Sequence, residues 1–147
     1  MNKLFCCLVL ALPLTRLSVS SGFGWRIHPI THRPDFHEGI DLRANNDTVY
    51  AVTNGLVEAG YNALLGNYVR LRVGGMEFIY GHLSQIFVLT GDDVAVNEPV
   101  AVTGSTGRIT APHLHFAIRC QGKYINPIPF LLYAMQQINL NRKENKK

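Results

Sequence analysis

All thirteen glycines of the chain fall between Gly22 and Gly122, interleaved with short β-branched and aromatic segments. No stretch before Asn126 keeps apolar residues at helical intervals. That pattern cannot wrap a helical bundle; it makes strands joined by tight turns. Strands are expected at Val49–Val52, Leu56–Tyr61, Tyr68–Val73, Met76–Tyr80, Pro99–Val102 and Leu114–Arg119. Tyr68 to Val73 alternates apolar with charged residues, and Gly74-Gly75 separates it from Met76 to Tyr80, a hairpin signature. One helix is expected, at Pro129–Ile138, with Phe130, Tyr133, Ala134 and Ile138 on a face that packs against the sheet. The fold class is therefore mainly β: a single-domain antiparallel sheet with one short C-terminal helix.

A chain of 147 residues with 47% hydrophobic content is long enough for one domain with its own core. Lys3 followed by the apolar run Leu4–Leu14 has the length of a secretory signal and is too short to cross a bilayer as a helix. Residues 1–14 are accordingly read as an apolar leader, 15–135 as the folded domain and 136–147 as a basic, solvated tail. Export to the periplasm or cell wall follows. The competing reading makes Leu8–Val19 a first strand of the domain. Fourteen Lys and Arg against ten Asp and Glu give a charge of +4, but the basic residues are spread and their one dense run is terminal. Nucleic-acid binding is not expected from such a distribution. Cys6 and Cys7 lie in the apolar run, which leaves Cys120 alone in the body of the chain, read as a small buried hydrophobe.

Chemistry concentrates in three places. In Pro112-His113-Leu114-His115-Phe116-Ala117-Ile118 the two-residue period of a strand puts His113 and His115 on one face and Leu114, Phe116 and Ile118 on the other. The strand can then be anchored by its apolar side while presenting two imidazoles, a pairing suited to metal binding or proton transfer. In Phe36-His37-Glu38-Gly39-Ile40-Asp41-Leu42 an extended backbone gives His37 and Asp41 one face, with Gly39 leaving room for an ion between them. Two imidazoles and a carboxylate are good zinc ligands and leave a fourth tetrahedral position for water. The third place is Tyr80-Gly81-His82-Leu83-Ser84, where a histidine ends an apolar strand.

Taken together, and with Ser21-Gly22-Phe23-Gly24-Trp25-Arg26-Ile27-His28-Pro29 before them and Gly104-Ser105-Thr106-Gly107 and Ala111-Pro112 between, these motifs resemble the lysostaphin-type, LytM-like zinc endopeptidases over roughly Val19 to Pro127. The resemblance implies a duplicated-hairpin antiparallel metallopeptidase fold and one Zn2+ per chain, held by His37, Asp41 and His115, with His82 and His113 as catalytic histidines. It further implies a peptidoglycan substrate, cut in its stem peptides or cross-bridges, and a monomer working on the wall, alone or for a wall-spanning secretion or conjugation apparatus. A non-catalytic peptidoglycan-binding or amidase-activating module of the same fold is the alternative. His28 is read as structural, His32 as solvated, Glu38 as pointing away from the ligands, and Tyr80 as either core or groove lining. Ala44 to Val49 lacks the Gly or Pro common in this family's loop, a change that leaves every ligand in place.

Overall fold

The computed structural model describes residues 9–146. The strands are β1 (Val19–Ser21), β2 (Gly24–Ile27), β3 (Pro34–His37), β4 (Ile40–Arg43), β5 (Thr48–Tyr50), β6 (Gly55–Asn62), β7 (Gly66–Val73), β8 (Met76–Ile86), β9 (Asp93–Val94), β10 (Pro99–Thr103), β11 (His113–Cys120) and β12 (Lys123–Ile125), followed by helix α1 (Pro127–Glu144). Ten strands form one sheet in the order β1-β4-β11-β8-β7-β6-β9, with β12 on β11 and β10 bridging β5 and β8; β2 and β3 make a separate hairpin. Every strand pair is antiparallel. The expected fold class is the observed one.

β11 lies between β4 and β8, and its alternation sorts the molecule. Leu114, Phe116 and Ile118 are fully buried together with Ile40, Leu42, Val69 and Tyr80. Each such side chain contributes about 1.5–3 kcal/mol by leaving water. The opposite face carries His113, His115 and Ala117, and the register sets His115 across from Asp41 on β4 and from Gly81 on β8. Tyr80 is core: it is fully buried, its hydroxyl accepts the Val52 N–H at 3.1 Å, and burial pushes its phenol well above the usual range. The β7–β8 hairpin turns through Gly74 at φ 56°, pairing Val73 with Met76 as the Gly-Gly signal requires.

Four expectations need correction. First, α1 begins at Pro127 rather than Pro129, because the Asn126 side chain accepts the Ile128 N–H as a cap and proline is suited to the first turn. Second, α1 continues to Glu144 through most of the segment read as a tail, with Arg142 and Lys143 in its last turn, where cations suit the helix dipole. Third, His37 and Asp41 do not share one strand: the chain bends at Glu38-Gly39 between β3 and β4. Fourth, Cys120 is a free, half-buried thiol instead of a buried one.

Residues 1–8 of the expected leader lie outside the described residues. Its described part packs on the domain: Leu10, Ala11 and Leu14 are buried, the Ala11 N–H donates to the Val52 carbonyl at 2.9 Å and the Tyr50 N–H to the Pro13 carbonyl at 3.0 Å. No strand forms before Val19 among the described residues.

Candidate metal centre

Asp41 reaches the site from β4, His115 and His113 from β11, His37 from the end of β3, and His82 from an irregular point of β8. His37 Nδ1–H donates to the Gly22 carbonyl at 2.7 Å, which leaves Nε2 bare and aimed inward. That nitrogen lies 3.2 Å from His115 Nδ1 and 3.2 Å from Asp41 Oδ1, and His115 Nδ1 lies 3.2 Å from the same oxygen. Donor atoms about 2.0–2.1 Å from a common tetrahedral ion stand about 3.3 Å apart, so the triangle matches one ion. A bare imidazole nitrogen facing a carboxylate oxygen is repulsive until a proton or a cation lies between them. The donor chemistry and spacing therefore fit a divalent metal, and among the described residues these three form a group able to hold one.

Gly39 does something other than expected. A Cβ there would sit 2.6 Å from the Phe116 carbonyl oxygen and 2.9 Å from His115 Cε1. Its bareness lets the bend press against β11, which is what brings His37 to Asp41.

The remaining imidazoles flank the triangle. His113 Nδ1–H donates to the Ala111 carbonyl at 2.8 Å, and its Nε2 lies 3.3 Å from Asp41 Oδ1. His82 Nδ1–H donates to the Thr106 carbonyl at 2.8 Å, and its ring stands 4.8 Å from that of His113 and 6.0 Å from that of His115. His82 occupies the left-handed region at φ 63°, a strain of about 1–3 kcal/mol that aims the side chain at the groove. Burial, partly offset by the Thr106 bond and reinforced by the neighbouring histidines, pushes its pKa down to about 4, so the ring is neutral at pH 7. Burial also lowers His115, in spite of Asp41 beside it. For Asp41, burial alone would raise the carboxyl, but the three imidazoles that converge on it, His113, His115 and His37, prevail and hold it far below the usual carboxylate range.

Two functional residues escaped the sequence reading. Thr106 supplies the carbonyl that orients His82, while its hydroxyl donates to the Leu83 carbonyl at 2.7 Å and accepts the Asn67 N–H at 3.1 Å. Arg26 reaches Asp41 Oδ2 at 3.5 Å. Both sit inside recognised motifs, but the contacts depend on tertiary register, which spacing does not reveal. His28 behaves as read: its Nδ1 accepts the N–H groups of Ile30 and Thr31, closing a local turn. His32 is exposed and Glu38 is exposed at the groove edge.

Gly66 is at φ 65°, and a Cβ added there would run into the carbonyl carbon and oxygen of Thr106. Gly66→Ala is expected to lower stability by about 1–3 kcal/mol and to reduce turnover by shifting the carbonyl that holds His82. A thermal melt together with a kcat measurement on metal-replete protein checks this. Unchanged values in both would show that the Thr106 loop moves aside without consequence.

A groove of roughly 550 Å³ runs over this face, with Ile79 and Ala117 on its floor and Asn62, Leu64 and Thr110 among its walls. A cation-ready carboxylate and two imidazoles under an open groove, with further imidazoles beside them, define the class of metal-dependent hydrolases. Comparison with known proteins narrows the class: the chain belongs to peptidase family M23, whose profile matches residues 35–127. It is 36% identical over 136 residues to the peptidoglycan DD-endopeptidase ShyC of Vibrio cholerae, covering 90% of this chain and 31% of that protein. A zinc containing peptidase from Vibrio cholerae superposes with a TM-score of 0.75 at 30% identity, over 81% of this chain and 39% of that one. The catalytic domain of lysostaphin from Staphylococcus simulans gives 0.71 at 31% identity, over 78% and 92%. The chain spans a third or less of the length of the curated relatives it matches.

Proposed function

We propose that the chain is a zinc-dependent endopeptidase that hydrolyses peptide bonds in peptidoglycan stem peptides or cross-bridges. The observation that carries this is the triangle of His37 Nε2, Asp41 Oδ1 and His115 Nδ1, each pair 3.2 Å apart, beneath a groove with two further imidazoles at its edge. The peptidoglycan DD-endopeptidase ShyC supports the substrate, and the zinc in the Vibrio cholerae peptidase supports the metal. Peptidoglycan lies outside the cytoplasmic membrane, so the same reading places the protein beyond it.

His37, Asp41 and His115 would hold the ion, which when bound polarises a carbonyl and lowers the pKa of its water to about 7. The chain's own work is proton handling. With their Nδ1–H groups committed to the Thr106 and Ala111 carbonyls, His82 and His113 are left with their Nε2 atoms for the groove. His82, neutral at pH 7, starts as an acceptor beside His113. The proton taken from the attacking water turns one of them into the donor that the oxyanion and the leaving amine need.

Purified protein is expected to carry about one zinc per chain and to release soluble fragments from purified peptidoglycan. Chelator abolishes both, and zinc restores both. Metal-replete protein that binds peptidoglycan tightly and releases nothing would instead identify a non-catalytic wall-binding module.

A further inference from the structure

We propose that Arg26 is a positioning residue that ties back one oxygen of Asp41, so that the carboxylate offers the metal a single oxygen and the groove side of the ion stays open. The inference rests on the metal-centre reading above and adds a residue to it.

The geometry starts with the β2–β3 hairpin, where Arg26 stands across from Asp35. Its neighbours Trp25 and Ile27 are exposed. Strand alternation therefore sends the Arg26 side chain the other way, toward the main sheet. There Nη1 donates to the Ser21 hydroxyl and approaches Asp41 Oδ2 at 3.5 Å. Ser21 is the residue across from Asp41 in the β1–β4 register, so the three side chains form one cluster.

The two oxygens of Asp41 are sorted by this arrangement. Oδ1 faces His37 and His115 at 3.2 Å and His113 at 3.3 Å. Oδ2 has the guanidinium as its ion-pair partner. A carboxylate beside zinc can shift between one-oxygen and two-oxygen attachment, because the ion imposes no strong geometry of its own and readily becomes five-coordinate. An anchor on Oδ2 settles the choice, and outer partners of this kind orient a metal's ligands elsewhere. Arginine suits the task because it never loses its charge. The side chain is not a free surface cation: it is 27% exposed, and its Nε is buried without an acceptor. A side chain at liberty to choose its rotamer would place that N–H in water.

The test uses the whole chain stripped of metal and reloaded with cobalt(II), whose visible bands are intense in four-coordinate sites and weak in five- or six-coordinate ones. Arg26→Gln is expected to lose most of the wild-type intensity, whereas Arg26→Lys, which keeps a cation within reach of Oδ2, retains it. Zinc-loaded Arg26→Gln should also lose about 10–100-fold in kcat, with KM little changed. Ser21→Ala removes the guanidinium's hydroxyl partner and should lose part of the band intensity. A wild-type cobalt spectrum in folded Arg26→Gln overturns the proposal. If that variant does not fold, a wild-type spectrum in Ser21→Ala overturns it. Failure of the unaltered chain to take up any cobalt would sink the metal-centre reading itself, an outcome distinct from a strong spectrum that Arg26→Gln leaves unchanged.

Discussion

Asp41→Ala is expected to leave the chain unable to retain metal and to bring fragment release from peptidoglycan down to the level of a blank. Asp41 is the one anionic member of the triangle. With it, the site would offset part of a divalent ion's charge; without it the ion would sit among imidazoles alone. Its Oδ1 is also the atom on which His37, His113 and His115 converge within 3.3 Å. Removing it breaks the geometry as well as the charge balance. His37→Ala should act in the same direction, because Nε2 of that ring is already held in its metal-ready form by the Gly22 carbonyl. Thermal melting with and without zinc provides a readout independent of activity. A metal at 100 times its Kd stabilises the native state by about 2.7 kcal/mol, so the unaltered chain should melt higher with zinc and Asp41→Ala should not. Retention of a full zinc equivalent by Asp41→Ala after dialysis would refute this ligand set.

How much of this was readable beforehand depends on how local each feature is. The β7–β8 hairpin and the two faces of β11 follow from a two-residue period that needs no tertiary information. The convergence of His37 and Asp41 does not come from alternation along one strand. Alternation along one strand cannot be applied across the bend at Glu38-Gly39, and the two residues belong to strands of different sheets. What unites them is the pairing of β4 with β11, together with the close approach that Gly39 permits. Thr106 and Arg26 are invisible as contacts in the sequence because each acts over a sequence gap, 24 residues to His82 in one case and the register of two separate strand pairs in the other. The length of α1 was underestimated because its C-terminal residues form no apolar face, and tail composition says little once a capped helix has begun.

His113→Ala and His82→Ala, by contrast, are each expected to keep zinc while losing about 10²–10⁴-fold in kcat. The case rests on distances. His115 Nδ1 stands 3.2 Å from both other members of the triangle. His113 Nε2 comes to that range of Asp41 Oδ1, and its other ring nitrogen is occupied with the Ala111 carbonyl. Deleting His113 therefore leaves three ligand atoms in place. His82 is farther out, its ring centroid 6.0 Å from that of His115, and its removal should disturb metal binding less still. KM should change little in either variant, since the lost interactions arise as the proton moves rather than when substrate binds. If the two rings work as a pair, the double variant should be scarcely worse than the poorer single one; independent contributions would multiply instead. Metal content decides the identities: should His113→Ala empty the site while His115→Ala stays loaded, the roles within the His-x-His pair are exchanged, and the proton-handling histidine is the one on the Asp41–Gly81 register.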